Sequence, residues 1–443
     1  MWRLPGFFCF SRLSRFIIAE ARSIFVMPAM RRRDTCEYIG FVRKKPFFIC
    51  AGIGVFILAV VTLPFLFRAT YTPLLPAAGE LAVAASEPLA KHLPTPEPLK
   101  AIYMTSCVAG TPSFRAELTR LIEETELNSV VIDIKDYSGY LSFIPKDKAL
   151  LEFVSPRCVA PDMKEFIETL HDKDIYVIGR ITVFQDPVLT KRRPELAVKK
   201  KSDGSVWKDY KGLSFTDPGA EEVWKHHVAI AKEAYAIGFD ELNFDYIRFP
   251  SDGPMQDIAF PWSENRDKSE ALEDFFSYLS GALKPVGVVI SADLFGMTTT
   301  NTDDLNIGQV LEKAAPHFDF VSPMVYPSHY PPRFNGYDNP NKYPYEVVKL
   351  SMDSAVKRFL ATSTLVALLD AEPISTSTTP WLYPKQSWDS LKLRPWLQDF
   401  DYGGTYDVKE VRAQIQAVYD TGLTSWMLWS SSNRYTRGAL LSE

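Results

Sequence analysis

Six histidines in 443 residues leave little imidazole for metal or nucleophile chemistry. A metal-dependent hydrolase needs imidazoles and carboxylates converging on one ion. Here only His329 falls just past a strand-like run, while the adjacent His226 and His227 lie inside an amphipathic helical stretch and read as surface and packing residues. No metal site is expected. Phosphate-binding glycine loops are also missing: no GxGxxG follows the first strand-like run, so a doubly wound open sheet, the alternative fold, lacks its dinucleotide fingerprint. An esterase or deacetylase would want a GxSxG elbow, and none is present. No cofactor is expected either.

Basic charge is scarce outside one region. The net charge is -5, but residues 1–45 carry ten Lys and Arg against three acids, so the remainder is near -12. An acidic body of this kind does not suggest nucleic-acid binding, and no nucleic acid partner is expected. Cysteine is limited to five. Cys9, Cys36 and Cys50 precede or lie within an apolar run, leaving Cys107 and Cys158, which show no metal-ligand spacing. In an exported domain these two either pair or stay reduced and buried.

The basic head (1–45) leads into 22 uncharged residues, Pro46 to Phe67. As a helix this run is about 33 Å long, enough to cross a bilayer. It exceeds the usual apolar core of a cleaved signal peptide, about 7–15 residues, which is the competing reading. Arg31, Arg32, Arg33, Arg43, Lys44 and Lys45 on its N-terminal side predict a cytoplasmic head and an exported remainder. Residues 68–99 hold six prolines and read as a linker. From Lys100 to Glu443 short apolar runs alternate with amphipathic helical segments, the pattern of parallel βα units.

Eight such runs occur: 101–106, 129–136, 175–184, 241–249, 286–295, 318–326, 393–400 and 425–431. Helices are expected at 115–124, 162–172, 220–237, 268–283, 307–315, 345–359 and 408–420. Eight strands in about 340 residues predict a (β/α)₈ barrel, that is, a TIM barrel. The seventh strand has a competitor at 363–370, which opens a Ser, Thr and Pro-rich excursion that reads as an inserted loop.

Active sites of such barrels lie at the C-terminal strand ends. In turn these ends carry Asp133, Lys135 and Asp136; Arg180; Asn243, Asp245 and Arg248; Asp293; Met324 and Tyr326; Gln398 and Asp399; Trp429 and Asn433. Carboxylates, amides and aromatic rings are the equipment of sugar chemistry: an acid and nucleophile pair, groups that bond hydroxyls, and flat faces for pyranose rings. Asp245 and Asp293 sit on neighbouring strands about 4.8 Å apart. Asp245 is the expected nucleophile or base, kept ionised by Arg248, and Asp293 the expected general acid. Asp136, Lys135, Arg180, Asn243, Arg248, Tyr326, Gln398, Asp399 and Trp429 are expected to line the sugar subsite, Asp399 being also the reserve candidate for the chemistry. The basic run 191–204 reads as a solvated face.

VVIDIKDYSGYL, IGRITVFQDP, FDELNFDYIRFPSDG, VSPMVYPSHY, RPWLQDFDY and SWMLWSSSNRYT together resemble a glycoside hydrolase-like family of bacterial cell-envelope proteins, formerly a domain of unknown function. The resemblance spans Lys100 to Thr436. It implies a (β/α)₈ fold, an exported location and a polysaccharide or oligosaccharide substrate. GFDELNFDYIRFP is also similar to the DxxDxDxE motif of family 18 chitinases, with Asp240, Asn243 and Asp245 in the three Asp places and Ile247 where the catalytic Glu belongs. Substrate-assisted chitinase chemistry is therefore not expected. A membrane-anchored glycoside hydrolase is the reading that results; a non-catalytic polysaccharide-binding envelope protein is the alternative.

Overall fold

The computed structural model describes residues 90–368, 371–374 and 380–442. The basic head, the apolar run 46–67 and residues 68–89 of the linker lie outside the described residues. Among the described residues no helix is long and apolar enough to cross a membrane.

Eight parallel strands close into a barrel: β1 (Lys100–Met104), β2 (Ser129–Lys135), β3 (Tyr176–Thr182), β4 (Glu241–Asp245), β5 (Val289–Phe295), β6 (Phe320–Met324), β7 (Trp396–Gln398) and β8 (Trp426–Trp429). Each strand pairs with its sequence neighbours, and β1 closes the ring on β8. All eight predicted strands are present. The contested seventh is Trp396–Gln398; Ser363–Thr364 instead forms a two-residue antiparallel ribbon with Tyr383–Pro384 in the excursion.

The outer layer contains α1 (Pro112–Glu123), α2 (Met163–His171), α3 (Glu221–Ala236), α4 (Lys268–Leu283), α5 (Leu311–Ala314), α6 (Pro344–Leu360) and α7 (Val408–Asp420). Only α5 falls well short of its expected 307–315. Asp304 Oδ atoms accept from the N–H groups of Asn306 and Gly308, at 2.8 and 3.2 Å, and Leu305, Asn306 and Gly308 all take positive φ. That turn uses the residues a first helical turn would need.

Alternation along the strands sorts side chains into two layers. Val130, Ile132 and Ile134 of β2, like Leu242 and Phe244 of β4, join the large apolar layer between strands and helices. Ala101, Tyr103, Val131, Tyr176, Ile178, Trp396 and Met427 pack as a separate cluster inside the barrel. The lower end is sealed by a buried ion pair, Arg394 Nη1 to Glu241 Oε2 at 2.8 Å, to which Tyr176 also donates. Residues 90–99 cross beneath it: Leu93 N–H donates to Asp240 Oδ1 at 2.6 Å, and Thr95 bonds the Tyr176 hydroxyl. Cys107 and Cys158 are joined in a disulfide that links the segment after β1 to the loop after β2.

Lys135 corrects the sequence expectation. By strict alternation it would share the interior face of Val131 and Asp133. The pairing of β2 with β3 shifts register between Asp133 and Lys135, however, and this bulge turns Lys135 out of the barrel. It is fully buried, 2.9 Å from Asp186 Oδ2, and it donates to Thr182 O at 2.6 Å. Gly139, at φ +89°, passes so near Asp186 that any Cβ there would collide with its Oδ1. Lys135 thus ties the loop after β2 to the loop after β3. Lys135→Met leaves Asp186 as an unpaired buried charge and is expected to cost about 3–5 kcal/mol. A urea midpoint unchanged from wild type would refute this role.

Candidate active site

The upper end of the barrel interior is built around one guanidinium. Arg180, buried on β3, donates from Nη1 to Asp133 Oδ1 at 2.5 Å and from Nη2 to Asp245 Oδ2, and its Nε stands 3.6 Å from Asp293 Oδ2. Its strand register places it beside Asp133 of β2 and Asn243 of β4. The ring of Trp429 lies under the guanidinium at 4.9 Å and stacks on Tyr103 at 3.8 Å. Tyr103 in turn donates its hydroxyl hydrogen to Asp133.

The three carboxyl groups differ in their surroundings. Asp245 is 5% exposed and stands on the wall of a cavity of about 280 Å³. Its Oδ1 accepts from the N–H of Tyr246 at 2.5 Å, so backbone and guanidinium fix both of its oxygens. Asp293 is deeper, 1% exposed, and is not part of that wall. Its Oδ1 accepts from Asn243 Nδ2 at 2.9 Å and from Trp396 Nε1 at 2.7 Å. Burial, reinforced by the Asp245 charge, pushes Asp293 up to about 8. Burial pushes Asp133 up to about 6, against the opposing pull of Arg180. Asp293 Oδ2, Arg180 Nε, Asn243 Oδ1 and the Tyr326 hydroxyl, all buried, have no hydrogen-bond partner among the described residues. Burying polar groups unpaired is costly, and such a cluster marks a place built for something besides protein.

The structure brings Asp245, Arg180, Arg248, Tyr326 and Trp429 onto the wall of one cavity, with Asn243 and Asp293 beneath. The other expected residues stand elsewhere. Arg248 lines the cavity but bonds Phe249 O and Ser251 Oγ, so the partner of Asp245 is Arg180. Asp136 accepts from Ser106 and Ser138 and braces a turn. Gln398 accepts from Ser328 N–H and donates to Phe400 O, holding two loops together. Asp399 is held by the N–H and hydroxyl of Thr436. Tyr103 and Trp396 were missed as site residues. Both lie on the interior face, and both direct a polar atom of an aromatic ring at a carboxylate, which apolar composition conceals. Ile247 is a fully buried core residue, so the place of the chitinase acid carries no chemistry here.

Among the described residues no group of three or more His, Cys, Asp or Glu could hold a metal ion. A closed (β/α)₈ barrel whose mouth gathers acids, a guanidinium and aromatic faces defines a sugar-processing class of site. The family described as "putative glycosyl hydrolase domain" matches residues 101–435, and the chain belongs to it. Among solved structures, a hypothetical protein from Ruminiclostridium thermocellum is 36% identical over 43% of this chain and 96% of its own, with a TM-score of 0.39. The PgaB (BpsB) glycoside hydrolase domain from Bordetella bronchiseptica is 14% identical over 75% of this chain and 94% of its own, with a TM-score of 0.50, a likeness of fold. No curated protein matches the chain.

The donors on Asp293 make a direct prediction. The Trp396 N–H favours the ionised form, so Trp396→Phe raises the Asp293 titration further above about 8. Carboxyl ¹³C chemical shifts followed against pH read this, and an unchanged or lowered midpoint would contradict the bond.

Proposed function

We propose that this chain hydrolyses glycosidic bonds of a cell-envelope or extracellular polysaccharide, with Asp245 as nucleophile or base and Asp293 as the acid. The observation that carries the reading is the division between two carboxyls around one guanidinium. Asp245 stands at the cavity paired with Arg180, while Asp293 is pushed up to about 8 and so holds its proton at neutral pH. Pushing two such groups apart is how acid and base roles are separated. Adjacent strands, about 4.8 Å apart, suit the shorter carboxyl spacing of retaining enzymes, about 5–5.5 Å.

Asp245 attacks the anomeric carbon as the leaving oxygen departs. Two N–H donors occupy Oδ1 of Asp293, so its proton resides on Oδ2. Asp293 does not reach the cavity wall, and the buried, unpaired Tyr326 hydroxyl, on a residue that lines the cavity, is the donor proposed to relay that proton through a bridging water. Burial and the charges of Asp293 and Asp245 push that hydroxyl well above its ordinary range, so it stays protonated. In this scheme Tyr326 gives its hydrogen to the leaving oxygen and regains one from Asp293 through that water. Water then attacks the glycosyl ester on Asp245 and returns a proton along the same path.

Asp245→Asn is expected to lower turnover by about 10³-fold or more without loss of fold, measured as reducing-end release from bacterial exopolysaccharides and wall glycans. Full turnover in that variant would end the assignment. Wild-type kcat/KM should fall as pH rises through about 8, where Asp293 loses its proton. Tyr326→Phe should reduce kcat far more than it alters KM. The position of Asp293 behind the wall favours one other reading, a non-catalytic polysaccharide-binding protein. Retention on glycans with no turnover by the wild type would select it.

Export and anchoring are part of the proposal. They are supported by the 22-residue apolar run behind a basic head and by the Cys107–Cys158 disulfide, a bond of oxidising compartments. Deleting residues 46–67 should move the protein from the membrane fraction to the supernatant; continued sedimentation with membranes would contradict the anchor.

A further inference from the structure

We infer that the barrel mouth holds an extended polysaccharide chain across the reacting point and cuts it at internal linkages. This rests on the hydrolase reading above. The cavity beside Asp245 is not a dead end, because it shares walls with two further depressions. One, of about 400 Å³, shares Tyr246 and Arg248 with it and is otherwise formed by residues following β2, β3 and β4, such as Tyr137, Gln185 and Ser251. The other, of about 980 Å³, shares Tyr326, His329 and Trp429 and is otherwise formed mostly by residues following β7 and β8, such as Tyr402 and Arg434, with Ser328 after β6 and Lys211 after β3.

In a closed eight-stranded ring β3 and β7 stand four strands apart, on opposite sides. Most of the two linings therefore comes from different sides of the ring, so the depressions extend the cavity beside Asp245 in two directions. An enzyme that trims chain ends needs a wall on one side of the cleaved bond, whereas a site open on both sides accepts sugars beyond it in either direction. Each flank also presents an aromatic ring to solvent: Tyr137 is 59% exposed and Tyr402 65%. Exposed rings of this kind offer flat apolar faces to pyranose rings. Lys211, on the excursion after β3, lines both flanks, so that excursion reaches the rim where they meet beside the centre.

The test uses the full chain with four probes: hydroxyethyl cellulose, chitosan, hyaluronan and solubilised peptidoglycan glycan strands. Size-exclusion chromatography follows mean chain length while reducing ends are counted, and native gels cast with each polymer report retardation. On a polymer that is cleaved, mean length should drop before mono- or disaccharide accumulates. Tyr137→Ala and Tyr402→Ala should each lower kcat/KM on that polymer about tenfold more than on its trisaccharide, a difference of about 1.4 kcal/mol. Release of mono- or disaccharide from the first time point at constant mean length would overturn the inference and leave the hydrolase reading intact. Retardation without cleavage, lost in both tyrosine variants, would support the open cleft and remove the hydrolase reading. Neither retardation nor cleavage on any probe would overturn both.

Discussion

Burying Arg180 against Asp133, Asp245 and Asp293 sets one positive charge among three acidic groups, away from the water that would screen them. A single guanidinium cannot hold three buried carboxyls ionised: Coulomb attraction offsets desolvation only where contact is close. Direct contact goes to Asp133 and Asp245, and Asp293, on the more distant Nε side, is the group pushed up to about 8. The proposed division of acid from base needs no exotic environment beyond this imbalance of charges. It depends on strand register, since Asp133, Arg180 and Asn243 are cross-strand partners through β2, β3 and β4. A slip of one residue in any of these would turn the set to the opposite face.

The same strand also carries the charge chemistry of the lower end. Asp240 receives the N–H groups of Leu93 and Val177 together with His171, and Glu241 pairs with Arg394. Asn243 then supports Asp293 and Asp245 meets Arg180. DELNFD thus has Glu241, Asn243 and Asp245 at successive depths of one barrel, while Leu242 and Phe244 pack outward against helices. Alternation alone distinguishes the two sets. It does not distinguish the acids that seal the floor from the acid that opens on the cavity.

This explains what was legible. The strand count and order follow from apolar period and segment length, and β7 was separable from its competitor because Ser, Thr and Pro crowd the excursion. Two errors have one source, namely that sequence spacing is not spatial distance. Arg248 is three residues from Asp245 in sequence, yet its bonds go to Phe249 and Ser251, and the partner comes from a neighbouring strand 65 residues earlier. Lys135 is two residues from Asp133, yet a bulge sends it to Asp186. A bulge leaves no reliable mark in composition, and the buried donors Tyr103 and Trp396 look like ordinary core aromatics.

The end of β4 shows how the backbone completes the site. Tyr246 takes φ +51°, a left-handed conformation uncommon for a bulky residue and costing about 1–3 kcal/mol. The reversal aims its N–H at Asp245 Oδ1, places its ring on the cavity wall and returns Ile247 to the core. An ordinary extended residue there would continue the strand, setting Ile247 on the same face as Asp245 and withdrawing the Tyr246 N–H from its oxygen. The strain therefore restrains a carboxylate whose usefulness depends on direction, and Ile247 anchors the turn by burying its side chain while its carbonyl accepts from Gln309 Nε2 at 3.3 Å. In this barrel Ile247 is the structural support of the acid two residues earlier.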